Sequence, residues 1–214
     1  MNTQKDLQRE IDCIKATLAK METLLQCNHI TTTYDFNDGN GSVPAHQHPN
    51  GGGWVADTAT VADTAFVGAN VKVFGYARVS DNAKVSGNAC VFGNACVFGK
   101  TWIYGDAWVY GNAMVFDDAQ ISDFARVCGD AQVYGYAMVY DNAWVSGNAR
   151  VSGNACVFGN ACVFDNARVS GFAMVYGDAM IYDNARVYDN ARVSGFAMVY
   201  GDAMVYGDAC VKVK

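Results

Sequence analysis

Two histidines near the N-terminus are spaced for shared chemistry. His46 and His48 are separated by one residue, so in an extended segment both imidazoles point to the same side and could bind one metal ion. The nearest carboxylates, Asp35 and Asp38, lie in a Gly-rich stretch. The alternative is that both histidines form hydrogen bonds within a cap. We favour the cap and keep His46 and His48 as the candidate metal ligands.

Three arginines are spaced by eighteen residues, at Arg150, Arg168 and Arg186. That spacing equals three six-residue repeats, so the arginines are expected to stack on one face, about 5 Å apart. Like charges at that distance repel unless something neutralises them. Asp165 and Asp183 each precede one of these arginines by three residues. We predict that they neutralise the arginines through ion pairs within the chain.

The row of arginines could instead bind a partner. Guanidinium groups in a row suit phosphates or an acidic protein surface, and Tyr182 and Tyr200 are expected on a nearby edge. The formal net charge of −6 argues mildly against a nucleic-acid binder that works by bulk positive charge. We therefore expect a protein partner, no nucleic acid and no cofactor.

The cysteines and the apolar segments indicate the compartment. No C-x-x-C pair is present that could bind zinc. No apolar run approaches the ~20 residues of a membrane helix, and the N-terminal MNTQKDLQRE lacks the regions of a secretory signal. We therefore expect a cytoplasmic protein with no membrane contact. We also expect reduced thiols, because no two cysteines of the repeat lie eighteen residues apart, the spacing at which they would stack. The cysteines concerned are Cys90, Cys96, Cys156, Cys162 and Cys210.

A six-residue repeat must position these groups. From Val55 to Val211 every sixth residue is Val or Ile, and Ala follows four residues after each but the last, except at Val71 and Thr101. In Ala-x-Val the alternation of a strand turns Ala and Val inward and the middle residue outward. Gly or Asp followed by Asn or Asp supplies a sharp bend. Three strands and three bends predict a triangular coil of eighteen residues, repeated about nine times.

This array resembles the left-handed parallel β-helix of hexapeptide-repeat proteins, the trimeric acyltransferase-like superfamily, in which an aliphatic residue and a small residue four later recur every six. The likeness covers residues 54–214 and is strongest to the uninterrupted GNA-x-V arrays of bacterial and phage accessory proteins. The resemblance implies an all-β fold, a left-handed parallel β-helix of about nine triangular coils. It also implies a homotrimer.

Residues 1–27 predict an N-terminal coiled-coil helix. Its apolar residues alternate at spacings of three and four, which is the a/d seam of a coiled coil. A seam of about three heptads is marginal alone, so we expect it to pair with copies of itself, or else to dock on its own chain. Residues 28–53 are polar and Gly-rich, which predicts a connector that ends as a cap over the first coil. The seam residues are Leu7, Ile11, Ile14, Leu18, Met21 and Leu25.

Large apolar side chains occupy outward positions of the array, where a continuous strip usually marks an interface. One face carries such a strip with only Arg126 interrupting it. Homotrimer packing, as in the resembled superfamily, would cover this face. We assign Trp108, Trp144, Met180 and Met198 to the oligomer interface, together with the helix seam. The full strip is Cys90, Trp108, Trp144, Cys162, Met180 and Met198.

The resemblance also bears on function. Acyltransferases of that superfamily use a histidine as general base at a subunit interface, whereas His29, His46 and His48 all precede the array here. We therefore expect no enzyme and no catalytic residue, and favour an oligomeric scaffold or binding protein that recognises a macromolecule. The phage resemblance suggests a host defence or regulatory factor as the target. The alternatives are an acyltransferase-like enzyme with an acyl-coenzyme A donor and a structural spacer of a larger particle.

Overall fold

The computed structural model describes residues 3–27 and 32–214, and within the helix it describes the side chains of residues 8–21. The chain divides into two compact units, Met1–Thr32 and Thr33–Lys214. In its described part, the first unit consists of one α-helix, Thr3–Cys27. Within the described residues, no helix combines the length and the apolar character that a membrane-spanning segment needs.

The helix carries the predicted seam as an exposed apolar stripe. The side chains of Ile14, Leu18 and Met21 are each more than half exposed, and Ile11 is exposed as well. The side chains of Leu7 and Leu25, the remaining seam positions, lie outside the described residues. An exposed stripe of this kind suits pairing with another helix. Self-association of the helix therefore stays a prediction.

The second unit is built from three sheets, to which successive repeats contribute one strand each in turn. Strands eighteen residues apart are therefore neighbours, and they pair in parallel register. Trp144 lies beside Cys162, for example, and Val145 beside Val163. The sheet spacing of ~4.8 Å sets the rise of each coil. In residues 33–214, two of the three sheets have nine strands each, so the array makes about nine turns.

The strand boundaries follow the repeat. Sheet 1 contains Thr33–Asp35, Ser42–Gln47, Trp54–Ala56, Lys72–Val73, Cys90–Val91, Trp108–Val109, Arg126–Val127, Trp144–Val145, Cys162–Val163, Met180–Ile181 and Met198–Val199. Sheet 2 contains Thr60–Val61, Arg78–Val79, Cys96–Val97, Met114–Val115, Gln132–Val133, Arg150–Val151, Arg168–Val169, Arg186–Val187 and Met204–Val205. Sheet 3 contains Phe66–Val67, Lys84–Val85, Trp102–Ile103, Gln120–Ile121, Met138–Val139, Cys156–Val157, Met174–Val175, Arg192–Gly195 and Cys210–Val213.

Ala and Val line the interior, and the prediction of their orientation is confirmed. Val109 and Ala113 are both 0% exposed, and one continuous core extends from Val55 to Val199. Each buried Val contributes roughly 1.5 to 3 kcal/mol through the hydrophobic effect. Thr101, which replaces an Ala, is also fully buried, and its hydroxyl has no hydrogen-bond partner among the described residues.

The bends between strands require a left-handed backbone conformation at the Gly or Asp position. Gly93 has φ of 71° and Asp81 has φ of 57°. The bends also stack closely, because a Cβ on Gly93 would lie 3.0 Å from the backbone N of Gly111. Where Asp occupies the bend, its carboxylate is close enough to accept a hydrogen bond from the backbone of the next coil. Asp81 Oδ2 accepts the backbone N–H of Gly99, in the next coil, at 2.9 Å.

Equivalent side chains in successive coils form ladders. Asn148 Nδ2 donates to Asn166 Oδ1 at 3.1 Å. The rings of Phe98, Phe116 and Tyr134 stack with centroid separations of 5.0 and 4.8 Å. Such contacts add to the backbone pairing between coils. Further ladders of the same kind are Asn94–Asn112, Asn166–Asn184, Phe74–Phe92–Tyr110 and Tyr140–Phe158–Tyr176.

A hairpin precedes the first coil, in a segment where the sequence indicated no regular structure. Thr33–Asp35 pairs antiparallel with Ser42–Gln47, which in turn pairs antiparallel with Trp54–Ala56. The physical reason is that Trp54–Ala56 would otherwise leave its backbone groups unpaired at the edge of sheet 1. Phe36 and Ala45 are buried between the hairpin and this first coil.

Candidate functional site

Three arginines form a charged row on sheet 2, and we call Arg150, Arg168 and Arg186 the arginine stripe. Arg150 pairs in register with Arg168, and Arg168 pairs in register with Arg186. All three side chains are exposed. Neighbouring strands are ~4.8 Å apart, so the backbone positions of successive arginines are separated by about that distance. The predicted stacking of the arginines is therefore present.

The predicted neutralisation of the arginine stripe is wrong. Within the described residues no arginine lies within ion-pairing distance of a carboxylate, and the contact of this kind that does form joins His46 and Asp57. Asp183 Oδ2 accepts the backbone N–H of Gly201 at 3.0 Å, and Asp165 Oδ2 lies 3.5 Å from the backbone N of Asp183. The cause is the positive φ of these bends. A Cβ in that conformation is directed at the next coil, so the carboxylate reaches backbone there instead of the neighbouring strand.

Polar and aromatic groups flank the arginine stripe on both edges. On one edge Tyr182 and Tyr200 stack with their ring centroids 5.4 Å apart, and the Tyr200 side chain is exposed. On the other edge a groove of about 340 Å³ runs along Arg168 and Arg186. Its remaining lining comes from Ser170, Gly171, Tyr188, Asp189 and Met204. The hydroxyl groups and guanidinium groups give this surface several hydrogen-bond donors for an anionic partner.

The apolar strip lies on sheet 1, as the repeat predicted. Trp108 and Trp144 are 42% and 44% exposed, and Met198 is 53% exposed, while Met180 is half-buried. Arg126 interrupts the strip, and its guanidinium carbon lies 5.4 Å from the Trp108 ring centroid, which covers part of the indole. The assignment of this strip to an oligomer interface stays a prediction.

The two candidate metal ligands have different surroundings. His46 Nδ1 lies 2.9 Å from Asp57 Oδ1, and about half of each side chain is exposed. His48 is only 3% exposed, its Nδ1 faces Asn50, and its Nε2 has no partner among the described residues. The described residues contain no cluster of three or more ligand side chains placed to hold a metal. Metal binding by this pair stays a prediction, and His29 lies outside the described residues.

Parts of the array match a known repeat family. The model of the YdcK beta solenoid repeat matches residues 107–123, 131–147, 143–159 and 185–196. The array is a repeat β-solenoid. The matched segments lie within sheets 1 to 3 and include Trp144, Arg150 and Arg186. No curated protein matches the chain.

The solenoid also contains a notch that the sequence did not indicate. The turn of the hairpin, at residues 36–40, overhangs the first strands of sheet 1 and encloses about 580 Å³. We call this space the hairpin notch. Its lining is mostly aromatic, and it consists of Phe36, Asn37, Asp38, Asn40, Lys72, Phe74, Gly75, Cys90, Phe92, Gly93 and Trp108.

Hydrogen bonds hold the overhanging turn in place. Asp35 accepts the backbone N–H of Asn37 at 2.8 Å, and Asp38 accepts both the backbone N–H and the side-chain amide of Asn40. The backbone hydrogen bond from Asn40 lowers the pKa of Asp38, so its carboxyl group is ionised. Lys72 Nζ donates to the backbone carbonyl of Phe36 at 3.4 Å and ties the turn to sheet 1. The one sequence signal for this feature was the polar run DFNDGN.

Proposed function

We propose that this protein is a non-catalytic, oligomeric scaffold whose arginine stripe recognises the acidic surface of a protein partner. The observation that carries the proposal is that Arg150, Arg168 and Arg186 have no carboxylate partner among the described residues. Three like charges ~5 Å apart repel one another. Carboxylates of a bound partner would remove that repulsion and accept paired hydrogen bonds from the guanidinium groups.

The solenoid supports this proposal as a rigid platform. The backbone of every coil is hydrogen-bonded to the next, as in the bond from Arg150 N to Ala167 O at 2.9 Å. The strands that carry the arginine stripe are therefore held at a fixed spacing, with Tyr182 and Tyr200 beside it. A rigid backbone loses little conformational freedom on binding, so the cost of ordering falls on the arginine side chains. A partner whose carboxylates repeat at the spacing of β-strands would match the stripe best.

The oligomer is the second part of the proposal. We propose a left-handed solenoid of triangular coils, related to the hexapeptide-repeat superfamily, that forms a homotrimer. The apolar strip at Trp108, Trp144, Met180 and Met198 supports contact between copies of sheet 1, because exposed apolar strips favour association. The exposed stripe on the helix supports a coiled coil at the N-terminus. In this arrangement the arginine stripe on sheet 2 remains available to a partner.

Affinity capture with matched variants tests the recognition surface. The double variant Arg168→Gln with Arg186→Gln removes two charges from the stripe, and Arg78→Gln with Arg192→Gln removes two charges elsewhere on sheets 2 and 3. We expect capture from host lysate, read by mass spectrometry, to return one stoichiometric acidic protein with wild type and with the control pair. The double variant Arg168→Gln with Arg186→Gln should no longer capture that protein. Equal capture by all three proteins would refute recognition through the stripe.

A separate measurement tests the oligomer. Light scattering after size exclusion should show a trimer for the full chain and a smaller species for a chain lacking residues 1–30. A monomeric full chain would contradict the proposed trimer without affecting the stripe.

We place the protein in the cytoplasm, and the phage resemblance makes a host defence or regulatory factor the first partner to test. Calorimetric binding of acetyl-coenzyme A would instead favour the acyltransferase alternative, and isolation only within a larger particle would favour the spacer.

A further inference from the structure

We propose that the hairpin notch binds a small, neutral, flat heteroaromatic compound that carries hydrogen-bond donors and acceptors on its edge. The notch lies at the N-terminal end of sheet 1, away from the arginine stripe on sheet 2. Its volume of about 580 Å³ is that of a site for a small molecule and not for a macromolecular surface. The proposal does not depend on recognition through the arginine stripe. Cys90 and Trp108 also belong to the apolar strip, so a ligand and the proposed contact between copies of sheet 1 would compete for them, and ligand binding is measured together with the oligomeric state.

The lining of the notch favours a flat ring. Phe36 and Phe74 stack at 5.0 Å, and Phe74 and Phe92 stack at 4.8 Å, which makes a continuous aromatic wall. Trp108 forms the far end and meets Phe92 edge-on at 5.9 Å. The faces of Phe74 and Phe92 are covered within the ladder, so these rings offer their edges to the notch, and ring edges favour the face of a planar aromatic ligand through edge-to-face contacts. A saturated ring of the same size would lose those contacts.

The polar groups of the notch favour a neutral ligand with both donors and acceptors. One ammonium, on Lys72, and one ionised carboxylate, on Asp38, line the space, so their charges cancel. The Asp38 carboxylate can accept further hydrogen bonds from a ligand, and Lys72 can donate them. The side-chain amides of Asn37 and Asn40 offer both functions. A ligand with a net charge would meet one matching and one opposing group.

Cys90 is the residue that creates the space. Its side chain occupies the outward position between Lys72 and Trp108 on sheet 1, and it is much smaller than either neighbour. Tryptophan is compatible with this row, because Trp108 and Trp144 occupy equivalent positions. The substitution Cys90→Trp should therefore fill the notch while leaving the solenoid intact. Cys162, in the same row and outside the notch, provides the matched control Cys162→Trp.

The test compares binding of two fragment sets to the full chain. One set contains neutral heteroaromatic rings, and the other contains neutral saturated rings matched in size. We expect aromatic fragments to bind wild type and Cys162→Trp, as seen by saturation-transfer NMR, with affinity weakened by roughly tenfold or more in Cys90→Trp. Asp38→Asn should weaken fragments that donate hydrogen bonds more than fragments that lack donors. Unchanged thermal unfolding of both Trp variants serves as the control for folding.

Alkylation of wild type gives a readout that needs no variant. Burial raises the pKa of both the Cys90 and the Cys162 thiols, so both should react slowly with iodoacetamide. A bound aromatic fragment should protect Cys90 and leave Cys162 unprotected. The proposal is overturned if no aromatic fragment binds, if saturated rings bind equally well, if Cys90→Trp retains binding, or if Cys162 is protected to the same degree. None of these results bears on capture through the arginine stripe.

Discussion

Replacing Val145 by aspartate tests the core of the solenoid most directly. Val145 is 0% exposed and pairs with Val127 and Val163 in the neighbouring coils, so a carboxyl group there would have no polar side chain beside it. Losing the buried Val side chain costs about 1.5 to 3 kcal/mol. An unsatisfied polar group adds about 1 to 3 kcal/mol. Burial also raises the pKa of the new carboxyl group, which adds about 1.4 kcal/mol near neutral pH for each unit.

These contributions predict a loss of about 5 kcal/mol or more in the free energy of unfolding near neutral pH, a large part of the 5 to 15 kcal/mol typical of a domain. Because each coil contacts only its neighbours, the damage should be centred on the coils around Val145. The pH dependence follows from the sign of the shift. The folded pKa lies above the unfolded value of about 3.9, so the variant is least destabilised below that pH and loses stability as pH rises through the folded pKa.

Urea unfolding followed by circular dichroism measures the loss, and hydrogen exchange read by mass spectrometry locates it. Trp144→Asp is the matched control, because Trp144 is the preceding residue, points outward and is 44% exposed. This control loses part of the apolar area of the indole and the hydrogen bond from Trp144 Nε1 to Cys128 Sγ at 3.1 Å, so it should cost about 1 to 3 kcal/mol, less than Val145→Asp. Val145→Ala should likewise cost less than Val145→Asp. If Val145→Asp and Trp144→Asp unfold at the same urea concentration, the assignment of inward and outward positions is refuted.

Three further predictions concern the bends, the ladders and a buried hydroxyl. In urea unfolding, Gly153→Asp should lose less stability than Gly153→Val, by about 1 kcal/mol or more. The reason is that aspartate tolerates the φ of 69° and can accept the backbone N–H of Gly171, as other bend aspartates do with the next coil. Equal losses for the two variants would contradict this role. Asn166→Ala should cost about 1 kcal/mol, since Asn166 accepts one ladder hydrogen bond and donates another, and a stability unchanged within error would show that the ladder contributes nothing. Burial, with a smaller effect from Cys128, raises the pKa of Tyr110 to about 12, so the difference in ultraviolet absorbance between wild type and Tyr110→Phe should titrate near that value; a transition near pH 10 would contradict it.

The interior of the solenoid could be predicted almost residue by residue. A repeat of six without insertion leaves one strand alternation possible, so Val109 and Ala113 had to point inward once the array formed. The same spacing predicted which side chains stack eighteen residues apart, and the ladder of Phe98, Phe116 and Tyr134 is one result. Register in a stack of short parallel strands is specified by the hydrophobic pattern, because a slip by one residue would expose the core.

The partners of the surface groups could not be predicted in this way. Asp165 lies three residues before Arg168 in sequence, yet its carboxylate faces the backbone of the next coil. The direction of that side chain depends on the sign of φ in the bend and on the closeness of the stacked coils. The hairpin notch likewise depends on how residues 36–40 fold back over Cys90, which no local pattern specifies.

The sequence by itself determined the repeat, its inward and outward rows and the ladders, because period and side-chain type act locally and recur in every coil. Only the tertiary structure decided that the arginine stripe lacks carboxylate partners among the described residues and that the hairpin encloses a space beside Trp108. The physical reason is that both outcomes depend on which groups lie close together after the coils have stacked. A side chain can then bind either the backbone of the next coil or another side chain, and the distances between the stacked segments decide which one it binds.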